Sequence, residues 1–103
     1  MIKFSVFYPN QQGKRFDWNY YLEKHVPLVK QKFGDKCKEI KIDAGMTNEL
    51  SGQEAVYIAI FHILCDSVED FKAGLTPHAQ EIFADVANYT DIEPMTQLSR
   101  VQV

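Results

Sequence analysis

The segment Val56–Cys65 constrains this chain more than any other. Its ten residues run Val-Tyr-Ile-Ala-Ile-Phe-His-Ile-Leu-Cys, with no polar alternation except at His62. β-Branched and aromatic residues at that density form a strand. A strand without alternation is expected to be covered on both faces. A chain of 103 residues has enough mass for one core and one covering layer, so the second face has to be covered by something outside the protomer.

The other segments fall into place around that strand. Ile2–Tyr8 alternates Ile2, Phe4, Val6 and Tyr8 against Lys3, Ser5 and Phe7, and Pro9-Asn10 through Gly13 closes it as a turn. From Asp17 to Phe33 the period becomes helical, with Leu22, Val26, Val29 and Phe33 on one stripe, Asp17 as N-cap and Gly34 at the C-cap side. Pro27 lies inside that helix without an N–H for the carbonyl of Glu23, so a kink is expected near His25 and Val26. Cys37–Ala44 predicts a strand with one wet face, and Gly45–Gln53 a polar loop. Past Cys65, Asp66-Ser67 followed by Glu69 and Asp70 signals a short helix that Gly74 ends. Thr76-Pro77 opens another, with Thr76 as N-cap and Ala79, Ile82, Phe83 and Val86 on one face. Ile92–Val103 is expected as a long last strand. The order β-α-β-β-α-β predicts one α+β domain over residues 1–103, ferredoxin-like, with a four-stranded antiparallel sheet and helices on one face. A second copy related by a two-fold axis would cover the other face and make a homodimeric α/β barrel.

Charge and motif content exclude several functions. Eleven Lys+Arg against 14 Asp+Glu leave a net charge of -3, which offers no basic footprint for nucleic acid. The apolar run is about half of the roughly 20 residues that cross a bilayer as a helix, so no membrane partner is expected. The N-terminus alternates like a strand instead of carrying a charged region and an apolar block, so a cytoplasmic protein is expected. Cys37 and Cys65 form no C-x-x-C pair or zinc spacing and are expected as two reduced thiols. Phosphate-binding loops, a nucleophile elbow, a zincin helix and the aromatic RNA-binding signature are all missing.

Proton-transfer chemistry would look first to the three histidines. His25 follows Tyr21 by one helical turn, beside the Pro27 disturbance, where it is either a proton-transfer group or a packed ring under the kink. His62 lies in a strand with no other ionisable group except Tyr57 and Cys65, and reads either as a pocket residue or as a satisfied core histidine. His78 sits in a helical first turn, whose dipole disfavours the imidazolium, and reads as an acid, a base or a surface residue. Most of the aromatic residues must be core. Tyr21 and Tyr57 are kept as hydrogen-bonding candidates, and Trp18 with Tyr57 and His62 as substrate-contacting ones.

Phe16-Asp17, Tyr20-Tyr21-x-x-x-His25-x-Pro27-Leu28, Pro77-His78-Ala79 and Asn88-Tyr89-Thr90-Asp91-Ile92-Glu93-Pro94 together resemble the EthD family, whose name comes from ethyl tert-butyl ether degradation, within the dimeric α/β barrel superfamily. The similarity runs from Met1 to about Val101. It implies the fold reached above and a site within each protomer's cavity, with His25, Tyr21 and His78 at the matching catalytic positions. Superfamily relatives include isomerases, cofactor-free monooxygenases, cyclases and haem enzymes. No haem-ligand motif is assignable here, so no cofactor or metal is expected. Two functions follow. One is a small cofactor-independent catabolic enzyme, or an enzyme accessory, acting on a small organic molecule, aromatic ones included. The other is a non-catalytic dimeric module that binds a small ligand or a partner.

Overall fold

The computed structural model describes residues 1–103. Strand β1 (Ile2–Pro9) leads to a helix in three parts: α1 (Trp18–Tyr20), a π-turn (Tyr21–His25) and α2 (Val26–Phe33). Strand β2 (Glu39–Ala44) follows, then a small hairpin of β3 (Thr47–Asn48) and β4 (Gln53–Glu54), then β5 (Tyr57–Cys65). Helices α3 (Val68–Leu75) and α4 (Ala79–Ala84), joined by a 3₁₀ turn over Thr76–His78, precede a 3₁₀ turn over Asp85–Asn88 and strand β6 (Met95–Arg100). The sheet order is β2-β5-β1-β6 with every pairing antiparallel, the ferredoxin-like arrangement expected from the sequence. No helix is long and apolar enough to cross a membrane.

Register decides which face each strand residue joins. Ile2, Phe4, Val6 and Tyr8 stand opposite Cys65, Ile63, Phe61 and Ala59. The first three pairs meet Val29, Phe33, Phe71 and Ile82 from the helices to form the main core, while Tyr8 and Ala59 join Tyr21, Tyr89 and Ile92 in a second, aromatic cluster. The molecule is only 19 Å thick along its shortest axis, one sheet and one helix layer at about 10 Å each. The second face of β5, with Ile60, His62 and Leu64, is therefore only half covered by its own neighbours. His62 is tied at both ring nitrogens, Nδ1 to Ser5 Oγ at 2.9 Å and Nε2 to Asp43 Oδ2 at 3.1 Å. A register slip between Tyr8 and Pro9 inserts one extra residue in β5, and Tyr57 comes to lie against Phe7, ring centroids 5.2 Å apart, on this same open face.

Local signals mostly act as the sequence predicts. The Asp17 carboxylate accepts the Tyr20 N–H at 3.1 Å, the Ser67 hydroxyl accepts the Asp70 N–H at 3.1 Å, and Gly34 closes α2 with φ 57°. The disturbance expected at Pro27 takes the form of the π-turn. The Val26 N–H reaches back five residues to the Tyr21 carbonyl, and the widened turn makes room for a proline ring that would otherwise press on Glu23.

Four expectations are corrected. Gly74 does not end its helix, which continues to Leu75. It is buried because Phe33 lies on it, and a Cβ there would sit 2.4 Å from the ring. Thr76 makes no capping bond, and on α4 Ile82 is buried while Phe83 is 51% exposed. The loop after β2 contains the β3–β4 hairpin. The last strand has six residues, because Ile92 is buried in the aromatic cluster and the backbone extends along β1 only from Met95.

Candidate active site

A cavity of about 60 Å3 lies between the sheet and the helices. Its walls are apolar, with Val29, Phe33, Phe61, Ile63 and Ile82 among them, and at one end it meets Tyr8, Tyr21 and His25. No Lys, Arg, Asp or Glu lines it. Phe83 and Thr96, both exposed, mark its mouth beside β6.

The polar end is assembled from distant segments. The π-turn sets Tyr21 and His25 over one another, rings stacked at 5.7 Å and 17°. Tyr89 packs against both rings, 4.7 Å from His25 and 4.9 Å from Tyr21, and donates to or accepts from Tyr8, hydroxyl to hydroxyl at 2.6 Å. Tyr89 is held there by a clasp between two loops. Asp17 N–H donates to the Tyr89 carbonyl, Arg15 N–H donates to Asp91 Oδ1, and the Arg15 guanidinium donates to the carbonyls of Ala87 and Asn88. The Asn-Tyr-Thr-Asp run is thus the lock that seats the aromatic end of the cavity.

His25 is 5% exposed, and its Nδ1 lies 2.9 Å from Asp85 Oδ2. Asp85 Oδ1 also accepts from the Tyr20 hydroxyl at 2.6 Å and from Asn88 Nδ2 at 2.9 Å. Burial works against the Asp85 carboxylate, but these three donors together hold it below the ordinary aspartate value. An ionised carboxylate only accepts, so His25 Nδ1 carries the proton and Nε2 keeps its lone pair. Nε2 makes no hydrogen bond within the protein. Burial pushes the imidazole below the ordinary histidine value, against the pull of Asp85, and the ring is neutral at pH 7. The Tyr21 hydroxyl is the one buried side-chain polar atom without a well-formed hydrogen bond; the Tyr8 hydroxyl, already bonded to Tyr89, is its polar neighbour. Burial raises the Tyr21 pKa well above that of a free phenol, so it is a donor and not a phenolate.

Of the six residues singled out from sequence, the structure joins His25 and Tyr21 at this cavity. Trp18 backs Tyr21 edge-on at 5.9 Å without lining the cavity. His62 and Tyr57 lie on the open sheet face, and half-buried His78 ends the 3₁₀ turn, hydrogen-bonded to no side chain. Asp85, Tyr8 and Tyr89 were not singled out. Asp85 is 60 residues from His25 in the chain, and nothing in its own neighbourhood marks it. No cluster of three or more His, Cys, Asp or Glu is placed to hold a metal ion.

A four-stranded antiparallel sheet with two helical segments on one face and a histidine–tyrosine cavity between them defines a ferredoxin-like α+β protein. The EthD domain profile matches residues 11–93, and an EthD-like protein of Ralstonia eutropha JMP134 shares 41% identity over 99% of this chain and 92% of that one, with a TM-score of 0.92. The chain belongs to the EthD family. An ethyl tert-butyl ether degradation family protein of Bacillus halodurans C-125 has the same fold at 11% identity and TM-score 0.69, covering 99% of each chain. So does a dimeric ferredoxin-like protein of unknown function from Bacteroides fragilis NCTC 9343, at 13% identity and TM-score 0.54, covering 97% of this chain and 95% of that one. No match is found among curated proteins.

Proposed function

We propose that this EthD-family chain is a homodimeric enzyme that moves a proton on a small, neutral organic compound, with His25 Nε2 as the proton-transfer atom. One observation carries the proposal. A neutral imidazole, its Nδ1 committed to Asp85, faces an apolar cavity beside a tyrosine hydroxyl without a well-formed hydrogen bond. The two free groups are one acceptor and one donor, which suits a substrate with an acidic hydrogen next to a carbonyl or phenolic oxygen. For a ketone the hydrogen next to the carbonyl passes to Nε2 as a proton, the C–H pair becomes the C=C bond of the enolate, and the C=O π pair moves onto the oxygen, which Tyr21 O–H supports by hydrogen bonding. Return of the proton from Nε2 to a different carbon, or to the oxygen, completes an isomerisation. These acid–base groups suffice for that step. With no cation on the walls, a carboxylate or phosphate substrate has no counter-charge, so the substrate is a neutral ketone or phenol. The cavity of about 60 Å3 admits the compound's reacting end, and the rest lies toward Phe83.

The homodimer is supported by the uncovered apolar half of β5 and by the dimeric relative of the same fold. The competing reading, a non-catalytic binding module with His25 as packing, draws support from the small cavity volume. Both are tested together. Native mass spectrometry of the protein from its source host reads its oligomeric mass and any retained organic compound. Deuterium incorporation from D2O into a panel of aryl ketones and phenols is then compared between wild type and His25→Ala. The proposal expects exchange at least about 100-fold slower in the variant. Equal exchange in the two proteins removes His25 from the chemistry and favours the binding module.

A further inference from the structure

Nine large apolar side chains are exposed in the protomer, and six of them fall into two sets on opposite edges of the sheet. At the β2 edge, the β3–β4 hairpin and its flanks carry Met46, Leu50 and Val56, at 85%, 101% and 61% exposure. Beside β6 are Phe83, Met95 and Leu98, at 51%, 50% and 43%. The hairpin stands off the open sheet face and leaves a cleft of about 350 Å3, lined by Asp43, Met46, Leu50, Tyr57 and Ile60. β6 is an edge strand with one side of its backbone unpaired.

The hairpin cannot close over its own protomer's cavity mouth, because four strands spaced about 4.8 Å apart separate the two edges by roughly 14 Å. A two-fold axis parallel to the strands, with open faces packed together, changes this. It brings the β2 edge of one copy to the β6 edge of the other while keeping strand ends level. The ends agree: the hairpin follows Ala44, which pairs with Ala59 opposite Tyr8, and Met95 is level with Phe7. We propose that the β3–β4 hairpin of each protomer straddles strand β6 of its partner and seats Leu50 over the mouth of the partner's cavity. Met95 enters the cleft toward Tyr57 and Ile60, and Leu50 covers Phe83. The contact occurs twice by symmetry, so each site is closed by the other chain. This rests on the homodimer proposed above and adds that the site is complete only across the interface.

Disulfide trapping of the full-length chain in a Cys37→Ser background tests it, with Cys65 fully buried. The double variant Leu50→Cys with Phe83→Cys is expected to give a covalent dimer under mild oxidation, and each single variant none. Both positions are exposed, and circular dichroism confirms that the variants fold. A dimer by sedimentation that fails to cross-link in the double variant overturns the hairpin contact and leaves the dimer standing. Cross-linking by Leu50→Cys alone also overturns it, because the hairpins would then meet each other. A monomer by sedimentation overturns this contact and the dimer together, without touching the chemistry assigned to His25.

Discussion

Asp85→Asn changes one atom of the carboxylate and should reverse the hydrogen on His25. Asp85 Oδ1 receives two donors, Tyr20 O–H and Asn88 N–H, and Oδ2 receives the third, His25 Nδ1–H. The introduced amide can keep its carbonyl toward Tyr20 and Asn88, or turn and set its NH2 against the NH2 of Asn88. The second choice places two donors face to face, so the carbonyl stays and the amide N–H points at His25 Nδ1. Nδ1 then has to accept, and Nε2 takes the hydrogen and ceases to be a base. Three charge-assisted bonds of about 1.5–3 kcal/mol become neutral ones of about 1 kcal/mol, so stability should fall by about 2–6 kcal/mol. The chemistry suffers as well, because forcing a catalytic histidine into the wrong tautomer costs up to about 10,000-fold in rate. Nitrogen-15 NMR of the His25 ring reads the tautomer directly, and urea unfolding reads the stability. The reasoning fails if Nε2 remains the bare nitrogen in the variant, or if wild type already carries hydrogen there.

Tyr21→Phe removes a buried hydroxyl that makes no well-formed hydrogen bond, so the empty protein should unfold at equal or higher urea concentration, while affinity for a phenol or ketone ligand falls in calorimetry. Gly74→Ala drives a methyl into the Phe33 ring; overpacking of this kind costs about 1–3 kcal/mol against a helix-propensity gain of about 1 kcal/mol, so a net loss of up to about 2 kcal/mol is expected in urea melts, and a more stable variant would contradict the packing. Stability should also fall as pH drops from 7.5 to 5.5. Folded His25 is harder to protonate than the unfolded residue at its ordinary value of 6.5, so the unfolded chain binds more protons below that pH. The fall should shrink in His25→Gln, and an unchanged slope there would assign it to other groups.

The fold was legible because its strongest signals are local. Val56–Cys65 could only be a central strand, and Asp17, Gly34 and Ser67 mark helix ends by hydrogen bonds within a few residues. The cavity was half legible. Tyr21 and His25 share a helix face, so spacing finds them, whereas Asp85, Tyr8 and Tyr89 reach them only through tertiary packing. Gly74 misleads for the same reason, since a glycine that admits a distant phenylalanine looks in sequence like one that ends a helix. The phase of His62 depends on which half of an unalternating strand meets the helices, and no residue within that strand declares it.

The π-turn leaves the first helix with one residue more than regular α-helix needs. The widened turn absorbs that residue locally, so Trp18 and Tyr20 before it keep their phase relative to Val29 and Phe33 after it. A chain with one residue deleted between Tyr21 and His25 would return to a regular helix with both flanks facing as they do now. The proline ring would then press on the carbonyl four residues before it, and the tyrosine and histidine would stand three positions apart instead of four. Counting residues between the tyrosine pair and the proline therefore sorts homologues into those that keep the widened turn and those that do not.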